Sequence, residues 1–230
     1  MSFLDGWPVR KSITIKPDHI TETLYNFPLC VKLNDADVIT SVQEDGRDLR
    51  FTLSDGVTLL HHELDGFSVA GATASGNVWV SVPEISGSDK IYMYWGNDSV
   101  SDIQCPTGVW DNYLGVWHLN TSGLNYYPDS TKYGLRADRA TDMPSRSILN
   151  VSQRASYTNV LSVTNVVNTN KLSPAAQMTI ESWIYEDGTN NGFCGIANKI
   201  WGLSYYRTGL SLCINDRKQR RVPGHCREKV

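Results

Sequence analysis

Apolar and polar residues alternate singly in short runs along this chain, a period of two that suits strands and excludes amphipathic helices. Ile13 and Ile15 fall on one side, with Ser12 and Thr14 on the other. Leu29, Val31 and Leu33 alternate with Cys30 and Lys32, and Val78, Val80 and Val82 with Trp79 and Ser81. Leu49-Arg50-Phe51-Thr52-Leu53 continues the pattern, Asp55-Gly56 supplies a hairpin turn, and Thr58-Leu59-Leu60-His61-His62-Glu63-Leu64 returns. Pro83 is expected to close its strand, and residues 91–95 form the last one. Six such strands predict an all-β fold with two packed antiparallel sheets, a β-sandwich of jelly-roll type.

A polar stretch over residues 99–107, ending in Cys105-Pro106, marks the expected joint between two domains. The predicted organisation is a β-sandwich at 1–105, a second sandwich at 106–215 and a basic tail at 216–230. In the second half a strand is expected over 114–119, then a long polar stretch to Met143. Loops of that length are commonly functional or disordered. Strand patterns resume over 156–167, 178–185, 193–199, 203–206 and 210–214. Residues 217–230 have no strand pattern, so the second sandwich reads as incomplete: either another chain finishes it by adding to its unpaired edges, or the protein is longer or reads differently after Ile214.

Charge narrows the partners. The net charge is −3, but residues 216–230 hold six Lys or Arg against two acids, leaving 15 basic against 22 acidic residues before them. An acidic body has no electrostatic footprint for nucleic acid, and the basic end lacks interleaved aromatics. No apolar stretch approaches the length of a membrane span, so no membrane insertion is expected. Five cysteines, Cys30, Cys105, Cys194, Cys213 and Cys226, form no CxxC pair. Buried free thiols are the default, with Cys194 and Cys213 able to pair only if their strands are neighbours.

Five separated words run along the first half: Trp7-Pro8-Val9-Arg10-Lys11, Gly46-Arg47-Asp48-Leu49-Arg50-Phe51, His62-Glu63-Leu64, Asn77-Val78-Trp79-Val80-Ser81-Val82-Pro83 and Ile91-Tyr92-Met93-Tyr94-Trp95-Gly96-Asn97. In that order and spacing they resemble a domain family of unknown function found in bacterial, archaeal and phage surface proteins. Val116-Trp117-His118-Leu119, Pro128-Asp129-Ser130-Thr131 and Met178-Thr179-Ile180-Glu181-Ser182-Trp183-Ile184 resemble the start of a concanavalin A-like, laminin-G-type lectin domain. The resemblance implies a fold role for Arg10, Asp48, Arg50 and Glu63, the first three through Arg–Asp pairs that tie sheets together.

Candidate chemistry is sparse. Glu181 and Glu186 are the natural carboxylate pair for a glycoside hydrolase, yet an odd spacing of five puts them on opposite faces of one strand. His61-His62-Glu63 offers at most two metal ligands on one face. Trp183 and Tyr185 share a face and, with Tyr127, are the candidate ligand-binding residues, since sugar C–H faces stack on aromatic rings. Asp129 is the candidate ligand for Ca²⁺, which laminin-G-like domains sometimes hold at the sandwich rim. No GxSxG, phosphate-binding loop, dinucleotide fingerprint or zinc-type cysteine spacing occurs.

No enzyme and no required cofactor are expected. A surface-type domain that begins directly after Met1, with no basic-then-apolar leader, fits a phage virion protein assembled in the cytoplasm. The expected function is thus a tail fibre, collar or head-surface component, partnered by other virion proteins or copies of itself and by host surface polysaccharide. A bacterial or archaeal cell-surface adhesion module, and a carbohydrate-binding accessory domain of a polysaccharide-degrading enzyme, are the alternatives.

Overall fold

A computed structural model describes residues 3–16, 20–35, 41–71, 73–120, 126–138, 162–163, 179–182, 193–201 and 208–215. Regular structure among these residues is strand, apart from one four-residue helix. The alternating runs become β1 (Val9–Thr14), β2 (Leu24–Asp35), β3 (Arg50–Leu53), β4 (His62–Ala70), β5 (Thr73–Ile85) and β6 (Lys90–Trp95). They form two three-stranded antiparallel sheets, in orders β1-β6-β3 and β2-β5-β4. A short helix, α1 (Pro106–Val109), follows.

One face of each sheet feeds a common core. Phe51 from β3 and Ile91, Met93 and Trp95 from β6 join Leu33 from β2 and Val78, Val80 and Val82 from β5 in a single buried apolar cluster. Each alternates with residues aimed the other way, as a period of two requires. The fold is an all-β sandwich.

Two strands depart from the expected bounds. β5 runs through Pro83 to Ile85, because β4 pairing begins at His62 opposite Val80 and leaves Pro83 beside β2 alone. Pro83 falls opposite Asn26, a residue at φ 48 that is skipped in the register between Tyr25 and Phe27, so its missing N–H breaks no bond in the ladder. β4 in turn continues past Leu64 to Ala70 through a bulge between Asp65 and Ser68. Gly76 faces that bulge at φ 132, where a Cβ would lie 2.8 Å from the Gly66 carbonyl oxygen and 2.8 Å from Phe67 Cα. Only glycine fits there.

Trp110, His118, Asn120 and Ser130, beyond the helix, lie against the outer face of the β2-β5-β4 sheet. The expected strand at 114–119 is absent: Leu114 lies in a bend, the residues after it have no ladder partner, and Leu119 turns at φ 57. The backbone of Val116 bonds to loop groups instead, its N–H donating to Asp129 at 2.9 Å and its carbonyl accepting from Ser130 N–H at 2.9 Å. Short strands β7 (Tyr126–Tyr127), β8 (Ala137–Asp138) and β9 (Ser162–Val163) form a small antiparallel sheet.

The chain divides into two compact units, Met1–Leu172 and Ser173–Val230. In the second, β10 (Phe193–Trp201) and β11 (Thr208–Asn215) pair antiparallel where strands were expected. Cys194 stands opposite Ile214 and Cys213 opposite Gly195, so the two cysteines are not cross-strand partners. Of the strand expected over 178–185, residues 179–182 form no strand, while 178 and 183–185 lie outside the described residues, as do 156–161, 164–167, 203–206 and the basic tail at 216–230.

Candidate functional site

The outward-facing positions of β4 and β5 carry polar and aromatic side chains in register: Glu63 is opposite Trp79, and Asp65 opposite Asn77. Two carboxylates two residues apart on one strand share a face, and burying them demands donors. The segment after α1 brings all but one of them, Trp79 of β5 being the exception. Trp110 Nε1 donates to Glu63 Oε2 at 2.5 Å, and Ser130 Oγ donates to Glu63 Oε1 at 2.6 Å. Trp79 Nε1 donates to Asp65 Oδ2 at 3.2 Å, and Asn120 Nδ2 donates to Asp65 Oδ1.

His118 bridges the pair. Its Nε2 lies 3.1 Å from Glu63 Oε2 and its Nδ1 3.4 Å from Asp65 Oδ2. Side-chain exposures of 14% for His118, 10% for Glu63 and 8% for Asp65 put the cluster out of water. Burial alone would lower the His118 pKa, but the hydrogen bonds and charges of Asp65 and Glu63 outweigh it and raise it to about 9. His118 is therefore an imidazolium at neutral pH, donating from both nitrogens. Burial likewise works to raise Asp65, yet His118, Trp79 and Asn120 hold it below the usual carboxylate range. The rings of Trp79 and Trp110, with centroids 6.2 and 5.8 Å from that of His118, add aromatic surface around the cation.

A second buried histidine behaves oppositely. His62, next to Glu63 but on the inner face, is 1% exposed beside Phe51. Burial and then the Arg50 charge push it down to about 4, with Asp102 and the Leu60 carbonyl pulling weakly the other way. It is a neutral core residue.

The remaining sequence candidates fall as follows. Asp129 accepts four hydrogen bonds: from Val116 N–H and Thr131 N–H at one oxygen, and from Thr131 Oγ1 and Leu135 N–H at the other. Its oxygens tie the loop together, and among the described residues no group of three or more His, Cys, Asp or Glu could hold a metal ion. Tyr127, in β7, is 1% exposed and presents no open ring face. Trp183, Tyr185 and Glu186 lie outside the described residues, and Glu181 is exposed.

Arg10, Asp48 and Arg50 engage backbone groups and rings. Asp48 accepts from Gln43 N–H at 2.9 Å and Gly96 N–H at 2.7 Å. Arg50, 4% exposed, donates to the carbonyls of Arg47, Leu49 and Ser101. The Arg10 guanidinium lies 4.5 Å from the Phe3 ring centroid and 4.4 Å from that of Tyr92.

Sequence reasoning saw Glu63 as structural but missed its partners. The available signal was compositional: Trp110, His118, Asn120 and Ser130 form a donor-rich series beyond a sheet face that carries two acids.

Residues 45–118 match the family model of a domain of unknown function (DUF2341). That stretch begins ahead of Asp48 and ends on His118, so it contains both carboxylates and the imidazole that joins them. No curated protein and no solved structure matches the chain.

Proposed function

We propose that this chain is a non-catalytic structural and attachment module of a phage virion surface, with a lectin-like half following the DUF2341 domain and glycan as the ligand class. The observation that carries the reading is the commitment of Glu63, Asp65 and His118 to one another. A general base must be unprotonated near neutral pH and must reach substrate. His118, with its pKa raised to about 9 and both nitrogens facing carboxylates, meets neither condition. Each carboxylate also accepts from an indole and from a neutral polar side chain, so the cluster with the composition of an active site is used up in holding Trp110, His118, Asn120 and Ser130 to the sheet.

Such a weld suits a component that transmits force or stays rigid on a repetitive particle, where avidity makes individually weak ligand sites effective. The virion setting rests on the resemblance of the first half to surface-protein domains.

The test is the copy number of the chain on the particle that carries it, from quantitative mass spectrometry and electron microscopy of native material. A fixed stoichiometry on a virion is the expected result. Recovery as part of a larger exported polypeptide overturns the virion reading in favour of cell-surface adhesion.

A further inference from the structure

We infer that a cleft on the outer face of the first sandwich binds an uncharged saccharide, independently of the lectin-like half. The inference rests on the surface-attachment reading and gives it a site and a ligand class.

The covering segment closes over Glu63 and Asp65 but leaves the adjoining end of the same sheet face open, as a cleft of about 590 Å³. That volume lies within the range of about 300–1,000 Å³ typical of small-molecule sites. Its floor is sheet: Asn26 from β2, Ser81 and Pro83 from β5, and His61 at the entry to β4. Its wall is the segment beyond the sheet: Thr107, Asp111, Asn112 and Lys132. The parity of the strands explains much of the floor, since Ser81 and His61 share the face of Trp79 and Glu63.

The chemistry selects a class of ligand. Lys132 Nζ lies 2.6 Å from Asp111 Oδ1, so the one ammonium and one carboxylate neutralise each other. Neither anion nor cation is favoured, which argues against nucleic acid and acidic peptides. Beside that pair stand the hydroxyls of Ser81 and Thr107 and the amides of Asn26 and Asn112, the amides making no hydrogen bond among the described residues. Apolar surface from Pro83 and Leu59, the latter 50% exposed, lies beside them. Neutral hydroxyl-bonding groups next to apolar surface match the two faces of a sugar ring. An extended peptide would instead seek a strand edge, and this cleft lies on a sheet face.

The backbone at Asn26 adds an independent sign. A non-glycine residue held at positive φ within a strand is an uncommon arrangement that clusters at functional positions. Here it sits in the cleft opposite Pro83.

The experiment presents the full chain to an array of uncharged hexose and N-acetylhexosamine oligosaccharides alongside sialylated and sulfated ones. The tightest binder is then titrated by calorimetry against wild type, Asn112→Ala and Asn26→Gly, the last keeping the left-handed backbone. Binding to an uncharged oligosaccharide, weakened about tenfold in each variant as loss of a well-made hydrogen bond predicts, supports the site. An unchanged thermal midpoint in the variants makes that loss a local one. Equal affinity in wild type and both variants overturns the cleft as the site while leaving a glycan-binding chain. Binding confined to the anionic glycans, or no binding at all, overturns the ligand class, and the virion reading then stands or falls on stoichiometry alone.

Discussion

Two histidines fewer than sixty residues apart in sequence are driven in opposite directions by the same fold, and their opposition sets how stability responds to pH. His62 is held down to about 4, so its unfolded form takes up a proton that the folded form refuses as pH falls from about 6.5 towards 4. His118 is raised to about 9, so its contribution is complete below about 6.5 and is lost as pH rises through 9. Stability is therefore expected to peak near pH 6.5 and to fall by about 1.4 kcal/mol per pH unit on either side. Urea unfolding across pH 4–9.5 checks this. His62→Leu should flatten the acid limb and leave the alkaline one, whereas a single plateau from pH 5 to 9 in wild type would refute both assignments. Removing His118 altogether is harsher: His118→Ala leaves two buried carboxylates without their cation and should cost about 3–5 kcal/mol at pH 7. Trp110→Phe keeps the ring packing and removes one donor from Glu63, so its cost should be about 1–3 kcal/mol in the same measurement. Little of this was legible in sequence. His61-His62-Glu63 shows by parity that His62 points away from its neighbours, but nothing local shows that Glu63 meets residues 47, 55 and 67 positions away.

Elements are where sequence reading did best, and its errors have physical causes. The alternating runs became six strands in two sheets because a half-buried pleat has one wet face and one dry one, and that periodicity is written locally. Pro83 did not end β5, since its missing donor falls where only one neighbouring strand remains and the opposite residue is out of register. Residues 114–119 alternate like a strand but find no ladder, and Asp129 and Ser130 bond the Val116 backbone from a loop. Local pattern shows what a segment is able to pair with; tertiary context decides whether it does. The bulge in β4 yields a sharp prediction. Gly76→Ala combines a strained φ with a Cβ pressed against the Gly66 and Phe67 backbone, and should cost about 2–5 kcal/mol. Gly71→Ala, where a Cβ meets nothing within 4 Å, carries only the strain of its φ of 59 and should cost less. Equal urea midpoints for the two variants would contradict the account of the bulge.

For the molecule as a whole, the central claim is that the segment carrying Trp110, His118 and Ser130 belongs energetically to the first sandwich. The polar run over 99–107 has the composition of a linker, which is why the sequence suggests a joint there. What composition does not reveal is that the chain then folds back over the outer sheet face, buries two carboxylates and leaves a cleft beside them. Native-state hydrogen exchange tests the claim most directly, because it reads the opening free energy of each amide. Val116 and Ser130 N–H, bonded to Asp129 and Val116, should exchange with the same free energy as Val80 and Val82 in the core of β5. Exchange of Val116 and Ser130 through an opening about 2 kcal/mol or more below that of β5 would mean that the segment detaches on its own, and would contradict the weld on which the proposed function rests.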